Sequence, residues 1–500
     1  MKKIISAILA TVMCFGILFS IGCQPSSEDT ASSATDTLPP GADNEPRLEV
    51  PDTKYDGADF TIYIGGQGVG VNDKFNDWSE DNLDYPTVSA AIFKRNQQLQ
   101  TQYDIKISSE TDWGNENGSG KSYTKVAEEY FAMDCTFSVY EVGTMAAASL
   151  ARNGYLYDLN KTPYINVNNP WWDQGVTKDL QIQGRMYYST GDISIVDNLN
   201  THAIFFNKEL AEELKVPNLY DMVDSGAWTL DKYIEFVKYG SEDLNGDGSR
   251  NEKDRYGAII WNDAIQATFA GGGQRIATVN EDGEIELTVY NEKSFDIITK
   301  FTEVSFDRDI SYNYVIRIST WQQWDPVRIS MFENDQALFF LTTLNTFGRL
   351  RNANVDFGIL PYPKYNEEQS SYCSYVGSSA SNMICLGYHM SDEDVARNSA
   401  IIEAAAYYSR QIVTPEYYDV MLKGRMIRDE ESAPCLDIII GNRIFDVGMN
   451  YLIGKYTWDL TEMMKAEKNY FASSYQEKFA TAMKEIETLN ADFLKAGYKQ

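Results

Sequence analysis

The stretch Tyr187–Asn207, YYSTGDISIVDNLNTHAIFFN, constrains the architecture more than any other. Its ends (Tyr187, Tyr188 and Ala203–Phe206) are apolar and β-favouring, and its middle is rich in Asp, Asn, Ser and Thr. Helical patterns lie on both sides. Two structures accommodate such a segment. One is a strand, a loop and a strand inside a single domain. The other is an extended chain that leaves one core, crosses a polar gap and enters a second. The chain has 500 residues, too many for one small core, so two or three domains are expected.

The rest of the chain can be taken in order. Asp59–Ile64 alternates apolar and polar residues and predicts a strand. Thr87–Tyr103 places Val88, Ile92, Leu99 and Tyr103 on one face and predicts a helix. Strand Tyr103–Ser109, helix Ser122–Phe131, strand Thr136–Val142 and helix Met145–Ala151 continue the alternation, the signature of an α/β lobe with a mostly parallel sheet. Beyond the opening stretch, Asn207 caps a helix at Lys208–Leu214, and Thr229 caps one at Thr229–Tyr239. Strands are expected at Tyr256–Ile260, Ala337–Leu341 and Asp356–Leu360, and helices at Glu292–Phe306, Trp324–Asn334 and Asn345–Ala353. Ser391 and Asp394 open a long helix with a capping-box pattern, and the remainder to Gln500 is mainly helical. The pattern of β-like ends around a polar middle returns at Ala337–Asn345 and Tyr375–Leu386. Three passes between two lobes would make both lobes discontinuous and leave a cleft between them, where small ligands bind.

The N-terminus reads as an address. Lys2 and Lys3 precede an apolar run from Ile4 to Ile21, followed by Gly22-Cys23, the form of a secretory signal. Ser20-Ile21-Gly22-Cys23 resembles a bacterial lipobox, with Ser20 where Leu is usual. Cys23 would then be diacylated and hold the protein on the membrane's outer face. Gln24–Val50 is rich in Ser, Thr, Pro, Asp and Glu and has too little apolar surface to fold, so a flexible stalk is expected. Loss of Lys2 and Lys3 with the signal takes the formal charge from −30 to −32, which makes nucleic acid a poor partner. Cys135, Cys373, Cys385 and Cys435 remain, with no CxxC spacing to suggest zinc; a disulfide among them is open.

The strongest local motif is DLNGDGSRNEKD. Asp243, Asn245, Asp247, Ser249 (through its carbonyl), Asn251 and either Glu252 or Asp254 bring oxygens at the spacing of an EF-hand loop, with Gly248 at the sharp turn. This pattern suits a structural Ca²⁺ between a helix and a strand. One such loop, not a tandem pair, argues against a dockerin. The 9 Trp form a second constellation, because flat rings pack on the C–H faces of sugars. For any single Trp, packing in the core is the favoured reading, and Trp228, just before a helix cap, is expected to be a structural staple. Catalysis has little support. His202 and His389 are the only 2 His, both in apolar β-like runs, and no GxSxG, HExxH or P-loop occurs.

The lipobox Cys, the acidic stalk, NPWWDQGVTKDL, GDISIVDN, FFNKEL, GAWTLDKYIEFVK, DLNGDGSRNEKDRYG, GGGQRI and FENDQALFF…VDFGILPYPK together resemble the family 1 extracellular solute-binding lipoproteins of ABC importers. The resemblance covers most of residues 55–440. It implies a type II periplasmic-binding-protein fold, two discontinuous α/β lobes joined by hinge crossings. The expected division is signal peptide 1–22, acylated Cys and stalk 23–54, one lobe from 55–200 plus 343–376, and the other from 201–342 plus 377–500. It implies a monomeric receptor that closes on an oligosaccharide or other small solute and delivers it to an ABC permease. Trp171, Trp172, Asp192, Asn198, Asn200, Trp261, Trp321, Trp324, Asn345 and Tyr375 are the expected ligand-binding residues. Some family members, such as alginate-binding proteins, carry a similar calcium loop. A secreted carbohydrate-active enzyme and a glycan-binding sensor without a permease are the alternatives.

Overall fold

A computed structural model describes residues 46–66, 75–82, 85–113, 118–350, 353–378, 381–419 and 431–495. Cys23, the signal peptide and most of the stalk lie outside them. In chain order the strands are β1 (Ala58–Gly66), β2 (Ile105–Trp113), β3 (Val139–Gly143), β4 (His202–Asn207), β5 (Tyr256–Ile260), β6 (Ala277–Val279), β7 (Ile285–Leu287), β8 (Ser311–Asn313), β9 (Ala337–Thr343), β10 (Phe357–Leu360), β11 (Ser374–Tyr375), β12 (Asn382–Cys385) and β13 (Arg443–Ile444).

Two main sheets organise them. The first has the order β12-β3-β1-β2, with β1 parallel to β2 and β3, and β12 antiparallel to β3. The second has the order β10-β4-β9-β5-β8, with β5 parallel to β8 and β9, and β4 antiparallel to β9 and β10. Central β3, β4, β5 and β9 are buried throughout, as strands covered on both faces must be, whereas edge strand β2 alternates.

Local signals account for the helices. Pro86 opens the helix Pro86–Tyr103, where its missing N–H costs nothing, and Val88, Ile92, Leu99 and Tyr103 face inward. Asn207 accepts from the Leu210 N–H (2.8 Å), and Ser391 accepts from the Asp394 N–H (3.1 Å), each capping the helix it precedes. Trp228 is fully buried, and its indole N–H donates to the Pro361 carbonyl at 2.9 Å.

The first crossing runs as the sequence suggests. Ser189 bridges to Ile384 in the first sheet, and by His202 the chain is a strand of the second. Two other expectations need correction. Ala337–Asn345 does not cross: β9 turns through the short helix Thr346–Leu350 and returns as β10 in the same sheet. The later segments are also distributed the other way. β10, expected in the first lobe, pairs with β4 of the second, and β12, expected in the second, pairs with β3 of the first. The return to the first lobe therefore falls between β10 and β12. The long helix Asp392–Pro415 packs on Pro86–Tyr103, and the helix Ser432–Gly441 packs on β10. The helices Val447–Asn450 and Phe471–Leu494 rest on helix Thr144–Arg152 after β3, and helix Tyr456–Ala466 rests on helix Ala264–Gly271 after β5. The C-terminal helices thus touch elements of both sheets. Accordingly, Ile62 and Ile64 of β1 share one apolar cluster with Phe339 and Leu341 of β9.

No helix among the described residues is long and apolar enough to cross a membrane. Cys135, Cys373, Cys385 and Cys435 are all free thiols.

Candidate functional site

In open α/β sheets, ligands collect at the carboxyl ends of parallel strands. Here those ends are sewn together by the crossings. The Leu344 and Asn345 N–H groups, just past β9, donate to the carbonyls of Thr201 and Leu199 (both 3.0 Å), and Gly377 N–H donates to Asn200 (3.2 Å). On the other side, the Thr144 N–H after β3 donates to Ser381 (3.0 Å). Gly377 and Ser381 thus bond to segments at the ends of the second and the first sheet, respectively.

The second sheet presents an aromatic edge here. His202, at the start of β4, stacks on Trp261, just after β5, with ring centroids 5.3 Å apart and planes at 16°. Tyr375 lies 5.1 Å and Tyr362 6.2 Å from the same imidazole. Tyr314, after β8, meets Trp324 edge-on at 5.8 Å. Arg328 reaches the Tyr314 hydroxyl (3.4 Å) and Thr342 (3.2 Å) while its Nε donates to Asp325 (2.7 Å). The Asn313 amide donates to Asn262 at 3.3 Å. Three residues past β5 stands Asp263, whose charge is felt by Tyr314, Tyr362 and Tyr375. It is partly exposed, and its carboxylate has no hydrogen bond or ion pair to any described residue. Desolvation by the surrounding protein pushes it up to about 6, against a small opposing pull from Lys465. Burial drives His202 down to about 3, so its imidazole is neutral at pH 7 and unsuited to acid–base exchange there. His202 Nδ1, Trp261 Nε1 and the Tyr362 hydroxyl are buried without partners.

The ten expected ligand residues separate into two places. Trp261, Trp324, Asn345 and Tyr375 lie at this edge, with Asn200 in the adjoining seam and half-exposed Trp321 in the turn that opens helix Trp324–Glu333. Asn200 and Asn345 are buried; Asn200 donates to the Val196 carbonyl (3.0 Å), and Asn345 accepts from Thr343 (2.9 Å). Trp171, Trp172, Asp192 and Asn198 line a separate concavity of about 450 Å³ at the hinge.

At that hinge the two tryptophans do not offer open faces. Each is only 1% exposed. Their indole N–H groups both donate to Glu403 on the long helix, at 2.9 and 2.8 Å, and the Asn169 amide joins them at 2.6 Å. They anchor the Pro-led loop through these bonds. That loop lies so close to the crossing that a Cβ on Gly191 would sit 2.3 Å from the Trp171 carbonyl oxygen. Asp192 accepts from Thr414 (2.7 Å) and Arg410 (3.3 Å). Arg443 on β13 donates to Asp197 (2.7 Å), Asn198 (2.5 Å) and Asp173, and clasps loop and crossing together. Glu403, Arg443 and Asp263 were all missed by sequence reasoning. Only Asp263 carried a usable signal, an acid just past the end of a parallel strand.

The loop Asp243–Asp254 has the turns its spacing predicts. Asp243 accepts from the N–H groups of Gly246 (2.8 Å) and Gly248 (2.9 Å), Asn245 from Asp247 (2.9 Å), and Asp247 from Ser249 (2.8 Å). Gly246 and Gly248 adopt φ of +68° and +74°, which side chains resist. Asn251 Oδ1 accepts from Lys253 (3.0 Å). Asp254 is fully buried; one oxygen accepts from the Asn251 N–H (2.9 Å), and the other is orphaned. Glu252 is exposed. Among the described residues, no three His, Cys, Asp or Glu side chains converge as a metal cage.

No protein-family model matches the sequence, and no curated protein sequence does. Solved structures do match. An ABC substrate-binding protein from Listeria monocytogenes, in complex with cycloalternan, is 14% identical with a TM-score of 0.53 over 86% of this chain and 100% of its own. The galacto-N-biose-/lacto-N-biose I-binding protein of a Bifidobacterium longum ABC transporter, in complex with lacto-N-biose, is 11% identical with a TM-score of 0.55 over 88% and 99%. The GacH receptor of Streptomyces glaucescens, solved with acarbose, is 11% identical with a TM-score of 0.52 over 86% and 99%. At these identities the likeness is one of fold, and the fold is the mixed α/β, two-lobed type of the periplasmic binding proteins.

Proposed function

We propose that the protein is the solute-binding receptor of an ABC importer, that its solute is a carbohydrate of oligosaccharide size, and that it hands this solute to a membrane permease without altering it. The observation that carries this is the aromatic edge at Trp261, Trp324 and Asp263, placed at the strand ends where the fold collects ligands. Sugar-binding receptors among the structures of like fold support it. Ligand would favour the arrangement of the lobes in which it touches both. Diacylated Cys23 would anchor the monomeric receptor on the outer face of the membrane, with the stalk as spacer. A thermal-shift and calorimetric screen against neutral, amino and acidic oligosaccharides tests this. Saturable binding with the sugar recovered intact is expected; hydrolysis of the sugar would sink the receptor reading in favour of an enzyme.

The same proposal includes a structural Ca²⁺ held by Asp243, Asn245, Asp247, the Ser249 carbonyl, Asn251 and Asp254. The orphaned oxygen of buried Asp254 supports this set, and the exposure of Glu252 favours Asp254 as its last member. Calcium added to stripped protein should raise the melting temperature, and Asp247→Ala should remove that response. A stripped protein indifferent to calcium would remove the ion from this account.

A further inference from the structure

We propose that Asp263 receives a positively charged amino group of the solute, so that the preferred ligands are oligosaccharides carrying a free amine. This rests on the receptor function proposed above and narrows its ligand class.

An Asp directly before a helix ordinarily accepts an N–H of the first turn. Asp263 precedes the helix Ala264–Gly271 and makes no such bond. Nor does it meet a cation. Arg328 is engaged with Asp325, and Lys465, whose charge it feels most, is bonded to Glu462 at 2.6 Å and half-exposed. The other ionisable groups that feel Asp263 are the hydroxyls of Tyr314, Tyr362 and Tyr375, all neutral at pH 7. The buried acids elsewhere are treated differently. Asp77, Glu141, Asp197, Glu403 and Asp446 each accept at least one hydrogen bond from the chain.

A partly desolvated carboxylate with no donor and no counter-ion in the protein is less favourable than a paired one. It is also partly open to solvent, unlike those five acids, so a ligand can reach it. The group that restores what it lacks is an ammonium, which supplies both charge and donors. Trp261 and Trp324, the partly exposed aromatic side chains of this edge, tolerate a cation and can stack on the rest of a sugar ring. A uronate or sulfate would meet like charge, and an N-acetyl group would bring one weak donor and no charge.

The test uses the folded protein, β-1,4-linked glucosamine trisaccharide, its fully N-acetylated counterpart, and maltotriose as neutral control. Calorimetry at pH 7.5 is expected to rank the free amine first. Asp263→Asn should weaken that ligand about 10- to 100-fold and bring the three to similar affinity. The same variant should melt higher than wild type by about 1 to 2 °C, because it removes an uncompensated charge. Equal affinities in the wild type, or a free-amine preference that survives Asp263→Asn, overturns the assignment while leaving the receptor function intact. A lower melting temperature in the variant overturns it as well, because the carboxylate would then have a partner inside the protein. Hydrolysis of any of the three sugars would instead remove the receptor function.

Discussion

Acids at the two main sheets can be treated in opposite ways. Beneath the first sheet, Glu141 on β3 accepts from the Trp78 indole and the Asn382 amide, both at 3.0 Å. Its neighbour Asp77 accepts from Ser194 (2.5 Å) and the Ile195 N–H (2.9 Å), both in the first crossing. Arg95, fully buried, lies 4.5 Å over the Trp78 ring and donates to Asp77's carbonyl (2.6 Å) and to Ser409 (3.0 Å). One cation faces two carboxyls, and burial raises both, Asp77 well above the usual carboxylate range. At the second sheet, Asp263 has neither donor nor cation. The first arrangement joins chain to chain. The second leaves its capacity for something that is not part of the chain.

Substitutions can break this contrast, and the largest effect belongs to the first lobe. Arg95→Ala leaves two buried carboxyls without a cation and should cost about 3 to 5 kcal/mol in urea unfolding. A cost near zero would mean that the network is not an anchor. Glu403→Ala comes next. It strands two indole N–H groups and the Asn169 amide, and should cost about 2 to 3 kcal/mol. Binding of sugar by the refolded variant should change little, since the loop it holds lies outside the aromatic edge.

Asp263→Asn sharpens the contrast by its sign, and pH tests the cause. Asp263 has its folded value raised above the usual carboxylate range, so its neutral form favours folding at low pH. That contribution is complete below about 4 and is lost as pH rises through about 6. The variant's gain in melting temperature should therefore be absent near pH 4 and full above pH 7. A gain of the same size at every pH would tie it to packing rather than charge. Binding of the free-amine trisaccharide should fall as pH drops through about 6, when the carboxylate takes up a proton; binding of maltotriose should not.

Much of the fold was legible because its signals are local. Asn207, Thr229 and Ser391 cap helices by bonds within three residues, and Gly246 and Gly248 turn the acidic loop as their spacing requires. The distribution of late strands was not legible. A four-residue apolar strand such as Phe357–Leu360 fits either sheet, and only its partner, Phe206 and its neighbours on β4, decides. The anchoring of Trp171 and Trp172 was not legible for a related reason. An indole has an apolar face for a sugar and an N–H for a buried acid, and the acid here lies more than 230 residues further along the chain. Asp263 could be noticed as an acid at a strand end, but its lack of partners is a property of three-dimensional surroundings.

The strand β12 also bears on how the protein is made. It completes the first sheet, yet Asn382 lies 241 residues beyond its partner Glu141 on β3. At about 5 to 20 residues per second, synthesis of that interval takes roughly 10 to 50 seconds. For all that time β1, β2 and β3 exist without the strand that closes their edge, and Glu403 arrives later still. The N-terminal lobe is the first begun and among the last finished, so nearly the whole chain must be present before either end can lock.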